Sequence, residues 1–319
     1  MGRWIRRLLI VLSGLVLLAA VCGALYDWIA TRRALAAAPP PGRLVDIGGH
    51  RLHIWCTGSG SPLVVLETGL GGSFAGWGFV QPEVARFTRV CSYDRAGLGY
   101  SDPGPLPRTA GRIAHELRAL LDRSGISEPL LLVGASSGGF SMRLFATEHP
   151  DRVKGLVLVD ASHEDQRHEV PPIARFVPAL ASIGAFRVLG ISFDMGPDSL
   201  APPVRAHARA TQFRAAGYKA AASEIANIQQ SADEVRAKRR PLPHPVVVVS
   251  GGRGADETWR ALQRDQVTLS PRGCQIVAED SGHVVPLDQP QVIVEALRAL
   301  VAAAREGSDA PPCGAGGTR

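Results

Sequence analysis

The chain has 319 residues, 45% of them hydrophobic and 20% charged, which permits a sizeable core and excludes wholesale disorder. The formal net charge of +6 is unevenly spread: residues 1–43 hold six arginines against Asp27 alone, so the rest of the chain is close to neutral and offers no basic face for nucleic acid. The five cysteines form no Cys-x-x-Cys pair and no His-Glu-x-x-His occurs, so neither a metal site nor an organic cofactor is expected.

The amino end reads RWIRRLLIVLSGLVLLAAVCGALYDW, with three arginines followed by the uncharged run Leu8 to Leu25. At about 1.5 Å per residue that run makes about 27 Å of helix, close to the thickness of a bilayer's hydrocarbon core. A signal-peptide core is shorter, at roughly 7 to 15 residues, so an uncleaved membrane anchor is expected. The alternative is secretion after cleavage near ALAAA, residues 34–38. The slight excess of arginine before the span places the amino end in the cytoplasm and the remainder outside it. AAAPPPG, residues 36–42, reads as a linker, so residues 1–42 form an anchor (or signal) and linker.

From residue 43 strand and helix patterns alternate. RLVDIGG and HRLHIWCTG suit a hairpin-like opening pair. PLVVLETG, RVCSYDRAG, PLLLVGAS, VKGLVLVDAS, HPVVVVSGG and CQIVAED are short β-branched runs that end in turn residues. Between several of them lie helical patterns, such as TAGRIAHELRALLDRSGI, with Ile113, Leu117, Leu120 and Leu121 on one face and Gly125 as a stop. This order predicts a mainly parallel sheet covered on both faces. Residues 162–240 break the rhythm: they are rich in Ala, Arg and Pro, helical in pattern, and read as a cap inserted between two strands. The core is then 43–161 with 241–305, and residues 306–319 form a disordered tail.

The stretch LLLVGASSGGF contains one Gly-x-Ser-x-Gly frame, in which Gly134 and Gly138 bracket Ser136. Ser137 is excluded from such a frame because Ala135 stands where glycine is needed. A sharp strand-to-helix turn there lifts the Ser136 hydroxyl out at the carboxyl edge of the sheet. The Ser137 N–H, at a helix start, suits a developing oxyanion.

These features resemble the α/β-hydrolase superfamily over about residues 43–304. Four blocks carry the resemblance: LETGLGG at 66–72, SYDRAGLGYSD at 92–102, VGASSGGFSMRLFATEHPDRVKGLVLVD around the nucleophile turn, and DSGHVVPLDQP at 280–290. The resemblance implies an α/β fold with a mostly parallel eight-stranded sheet, helices on both faces and a helical cap. It implies His283 as general base and a first oxyanion donor at the Leu70 N–H. The family's usual histidine before that glycine is replaced by Thr68, after Glu67, so the support of this loop must differ. Glu67 reads as a structural strand end, and Asp94 and Arg95 as braces for the loops above the sheet.

Asp256, which follows HPVVVVSGG and precedes His283 by 27 residues, is the expected acid. It also suits a helix N-cap, because helix formers follow it in ADETW. Asp160, at the end of GLVLVDAS, is the rival, since some family members take the acid from that strand. His163, Glu164 and Asp165 are expected to face solvent. In the family's sheet order the second and fourth strands are antiparallel neighbours, which implies that Cys56 and Cys91 meet; a disulfide in an oxidising compartment and two buried thiols both remain open.

The resulting expectation is a serine hydrolase of small-molecule acyl substrates, ester cleavage first, held to a membrane with its catalytic domain outside the cytoplasm. Halide-releasing and epoxide-opening members carry Asp at the nucleophile position, so Ser136 argues against both. The alternative is a receptor or scaffold that keeps the fold and binds a ligand without turnover.

Overall fold

The computed structural model describes residues 2–167, 169–192, 200–308 and 313. Among these, eight strands form one sheet: β1 (Arg43–Asp46), β2 (Arg51–Thr57), β3 (Leu63–Glu67), β4 (Val90–Tyr93), β5 (Leu130–Ala135), β6 (Val153–Val159), β7 (Val246–Gly251) and β8 (Gly273–Ala278). Their spatial order is β1-β2-β4-β3-β5-β6-β7-β8. β2 pairs antiparallel with β1 and with β4, and every other pairing is parallel. The expected mostly parallel, eight-stranded architecture is therefore present.

The central strands are mainly apolar because helices cover both faces of the sheet. Alternate residues divide between two layers, as the two-residue period of a strand requires. Val65, Leu132, Leu158 and Val248 pack with Leu117 and Leu120 of the Ala110–Arg123 helix and with Phe140 and Leu144 of the Gly138–Glu148 helix. Leu66, Val133, Val159 and Val249 pack with Ile293, Leu297 and Leu300 of the Pro290–Glu306 helix. The parallel strands β5 to β8 deliver the residues that follow them to one carboxyl edge, where ligand sites of open α/β sheets form.

Between β6 and β7 run the helical segments Pro172–Phe176, Val177–Ser182, Ala185–Leu189, Pro202–Thr211, Ala215–Ala226 and Ile228–Ala237. They hold their own small cores: Phe186 stacks on Tyr218 at 4.2 Å, and Leu200, Val204 and Ala208 close over Ala75. Polar ties join them to the sheet domain. Arg214 donates to the carbonyls of Gly99 and Ser101, and the Ala110 N–H donates to Ser231 Oγ at 3.0 Å.

The amino-terminal helix is longer than its apolar run and extends from Arg3 to Ala37. It is long and apolar enough to cross a membrane by length and composition. The stretch read as a linker is docked rather than free. Ala38 is buried and its carbonyl accepts from Tyr100 Oη at 2.6 Å, while the Pro41 carbonyl accepts from His53 Nε2 at 2.6 Å. The prolines end the helix, and the carbonyls freed there find donors on the sheet domain.

Cys56 and Cys91 are direct partners across β2 and β4 and form a disulfide. A second disulfide, Cys274–Cys313, was not anticipated; it ties the expected disordered tail to β8, and residues 309–312 and 314–319 of that tail lie outside the described residues. Cys22, on the amino-terminal helix, is the free cysteine. Full-length protein denatured without reductant is therefore expected to take up iodoacetamide at Cys22 alone, as read by peptide mapping. Cys56 and Cys91 are 35 residues apart in sequence. Releasing a loop of that length costs about 4 kcal/mol in the chain-entropy treatment, so the Cys56→Ala/Cys91→Ala double variant should unfold at clearly lower denaturant. Labelling of Cys91 without reductant, or an unshifted midpoint, would contradict this.

Candidate active site

β5 is apolar until Gly134, and then the chain turns sharply into the Gly138–Glu148 helix. The turn is crowded. A Cβ on Gly134 would stand 2.7 Å from the Gly138 carbonyl oxygen, and one on Gly138 would stand 2.6 Å from that of Thr68. Both glycines of the frame are thus required by close backbone approach. Between them Ser136 adopts φ +50°, a left-handed conformation that costs a non-glycine residue about 1–3 kcal/mol and is retained where surrounding contacts enforce it. Those contacts are its N–H to the Val159 carbonyl, and its own carbonyl accepting from Gly139 and Ser162, each at 3.0 Å.

The strained turn aims the Ser136 hydroxyl at His283. Ser136 Oγ lies 3.0 Å from His283 Nε2, and His283 Nδ1 lies 2.6 Å from Asp160 Oδ2. A carboxylate only accepts, so Nδ1 carries the proton and Nε2 is left to accept from the serine. Asp160 follows β6, is 2% exposed, and also has a positive φ, +39°. Its other oxygen accepts from the Gly251 N–H and from Trp259 Nε1, both at 3.0 Å.

The carboxylate on the histidine is therefore Asp160 and not Asp256. Asp256 is exposed and caps the Glu257–Val267 helix, accepting from the Trp259 N–H at 2.7 Å. Capping fixes where Asp256 points, and it holds the backbone of Trp259, whose indole lies edge-on to the His283 ring at 6.0 Å. Sequence reasoning did not single out Trp259; its only signal was its place three residues after a cap.

The loop after β3 lies directly over the serine: a Cβ on Gly69 would stand 2.8 Å from Ser136 Cβ. Among the described residues the N–H groups of Leu70 and Ser137 are not taken by any other group. Arg95 supports this loop in place of the absent histidine, donating to the carbonyls of Thr68 at 2.6 Å and Gly69 at 2.8 Å. It also pairs with Glu224 of the Ala215–Ala226 helix at 2.7 and 2.9 Å, and Glu224 in turn accepts from the Gly71 N–H at 3.1 Å. Sequence reasoning missed Glu224 entirely, because nothing local marks a helical glutamate as the partner of an arginine 129 residues away.

Glu67 lies behind the turn, fully buried, and accepts from Tyr93 Oη and Ser141 Oγ at 2.6 Å each. Burial pushes its carboxyl up to about 7, against the opposing pull of Arg95 and of these two donors. One guanidinium faces two carboxylates here, and Glu224 holds the closer claim. Asp94 braces the next loop, accepting from Phe74 N at 2.8 Å and Tyr100 N at 2.9 Å.

The expectation that His163 and Glu164 face solvent is corrected. Both are buried, His163 against Asp265 at 2.7 Å and Glu164 between Arg143 at 2.6 Å and Arg239 at 2.7 Å; Asp165 is exposed. Charge alone suggested solvent, whereas partners brought in by the fold, Asp265 for His163 and two arginines for Glu164, make burial tolerable.

A cavity of about 260 Å³ opens beside Ser136 and His283, walled mainly by Leu70, Trp77, Val284, Pro286 and Leu287. It is mainly apolar; its polar lining is Ser136, His283, Thr68, Ser73 and the backbone of the loop after β3. Such a pocket takes a small apolar group and presents a carbonyl next to it to the hydroxyl.

Comparison with known proteins agrees with this fold. The family model described as the alpha/beta hydrolase fold matches residues 62–189. An AB hydrolase superfamily protein of Gibberella zeae is 26% identical over 277 residues, covering 75% of this chain and 86% of that protein. Among solved structures, the enol-lactonase from Burkholderia xenovorans LB400 superposes with a TM-score of 0.64 at 19% identity, covering 82% of this chain and all of that one. A thermophilic esterase from Thermogutta terrifontis superposes with a TM-score of 0.58 at 23% identity, covering 80% of this chain and 94% of that one.

Proposed function

We propose that this chain, which belongs to the α/β-hydrolase fold superfamily, is a membrane-tethered serine hydrolase cleaving a carboxylic ester or a related acyl bond. The observation that carries the reading is the continuous line from Ser136 Oγ through His283 to Asp160, with separations of 3.0 and 2.6 Å.

Ser136 Oγ attacks the carbonyl carbon and its proton passes to His283 Nε2, while Asp160 stabilises the imidazolium. The carbonyl oxygen becomes an anion between the N–H groups of Leu70 and Ser137. The C–O bond then breaks, and the leaving alkoxide takes the proton from Nε2. Water adds to the acyl-serine, again giving a proton to Nε2. Collapse releases the acid and returns the proton to Ser136. The apolar walls at Trp77, Val284 and Leu287 favour a short apolar acyl or ring group over a charged one. The lactonase and esterase named above, similar in fold, act on bonds of this class.

The amino-terminal helix supports tethering, and the two disulfides support an oxidising compartment, hence a catalytic domain outside the cytoplasm. Cleavage after the helix, giving a secreted form, would break the Asp27–Arg187 ion pair of 2.6 Å that holds the helix to the cap.

The test is covalent labelling of the full-length protein with a fluorophosphonate, located by mass spectrometry. Wild type is expected to carry the adduct on Ser136 and Ser136→Ala to carry none. An unlabelled but folded wild type would overturn the reading and favour ligand binding without turnover.

A further inference from the structure

We infer that the cap's Ile173–Ile191 segment is a membrane-docking surface that seats in the interfacial layer of the same bilayer the amino-terminal helix crosses. The inference rests on the reading of that helix as an anchor.

The segment has two unlike faces. Inward, Ala174 and Ala181 are buried and Phe186 stacks on Tyr218. Outward, Ile173, Val188 and Leu189 are 64%, 65% and 68% exposed, and Phe176, Ile183 and Ile191 are also open. Six large apolar side chains on about twenty residues form a patch of the kind that marks an interaction surface rather than scattered surface residues.

The occupant follows from where the patch is fastened. The turn at Ile183–Gly184 crosses the amino-terminal helix at Gly23, so closely that a Cβ on Gly23 would stand 2.3 Å from the Ile183 carbonyl oxygen, and one on Gly184 would stand 2.5 Å from that of Gly23. Arg187 completes the joint, donating to Asp27 Oδ1 at 2.6 Å and Thr31 Oγ1 at 2.7 Å. Gly23 lies two residues, about 3 Å of helix rise, before the end of the apolar run at Leu25. The joint therefore sits where hydrocarbon gives way to headgroups.

The residues that follow have the composition of that layer. Tyr26 and Trp28 are about half exposed, and Arg32 lies over the Trp28 ring at 4.1 Å. Residues 170–192 contain no acidic residue, and Arg175 there, unlike Arg187 paired with Asp27, faces outward with the patch, which suits anionic headgroups. An apolar face with cationic neighbours, held at the end of a spanning helix, has the character of an interfacial segment.

The test uses the full-length chain in phosphatidylcholine/phosphatidylglycerol vesicles, with Cys22→Ser and one added cysteine carrying the environment-sensitive fluorophore NBD. Leu189→Cys and Ile173→Cys probe the patch, Leu12→Cys probes the anchor, and His115→Cys, exposed on a core helix, is the aqueous control. Doxyl-labelled lipid is expected to quench both patch probes and the anchor probe, with blue-shifted emission, and to leave the control unchanged. A quenched anchor with unquenched patch probes would overturn the docking surface and leave the anchor standing. An unquenched anchor would remove the anchor reading, and this inference with it. Patch probes that are blue-shifted but unquenched would show a second protein copy covering the patch, which also overturns the inference.

Discussion

Asp160→Asn is expected to lower kcat/KM for a turned-over ester by about 10⁴-fold, while Asp256→Asn leaves it near wild type. The substitution is nearly isosteric. Asparagine tolerates the left-handed backbone that Asp160 adopts, and its amide oxygen still accepts from Gly251 and Trp259. What changes is the group facing His283 Nδ1. An amide NH₂ there donates, so Nδ1 gives up its proton, Nε2 takes it, and Ser136 loses its acceptor. A loss of 10⁴ corresponds to about 5.5 kcal/mol of transition-state stabilisation. At Asp256 only a helix cap is at stake, so Asp256→Ala costs about 1 kcal/mol of stability and little rate. Steady-state kinetics with thermal unfolding of the three variants separates the two carboxylates. A larger rate loss at Asp256 than at Asp160 would reverse the assignment.

The two aspartates show where sequence reading stopped. Both stand just after a β-strand, and Asp256 carried the usual spacing to the histidine. The sequence already offered Asp256 as a helix cap; the fold adds that this cap claims its side chain while Asp160 takes His283. The strands were legible because β-branched runs bounded by turn residues have few alternatives. Ser136 was legible because glycines on both sides of a serine, between a strand and a helix, answer a local steric need. Glu164, Cys313 and Ala38 were not, because their partners Arg143, Cys274 and Tyr100 are assigned by the packing of distant segments. Local geometry was legible wherever the deciding contact was also local.

Glu224 belongs to that second group and carries the other large prediction. Through Arg95, a carboxylate on the cap holds the two carbonyls that precede the Leu70 N–H, and it also accepts from Gly71 just beyond it. The loop is thus clamped on both sides of its proposed oxyanion donor. In Glu224→Leu the clamp is lost on the cap side, and Glu67 at 3.6 Å is the carboxylate left to hold Arg95 against the two carbonyls. If the donor then drifts out of reach, kcat should fall by about 10²–10³-fold, the size of losing one oxyanion-hole donor. KM should change less than kcat, because Trp77, Val284, Pro286 and Leu287, which form the rest of the cavity wall, are not held by this clamp. Breaking a buried pair one-sidedly also costs about 3–5 kcal/mol of stability, so the isosteric Glu224→Gln is the companion variant. It retains an acceptor for Gly71 and should recover much of kcat. That graded order, with KM moving less than kcat, is the signature of positioning; a purely structural role would lower the amount of folded enzyme and leave kcat per active site intact. Equal kcat in wild type and folded Glu224→Leu, normalised by fluorophosphonate titration, would show that the loop holds its shape without the cap.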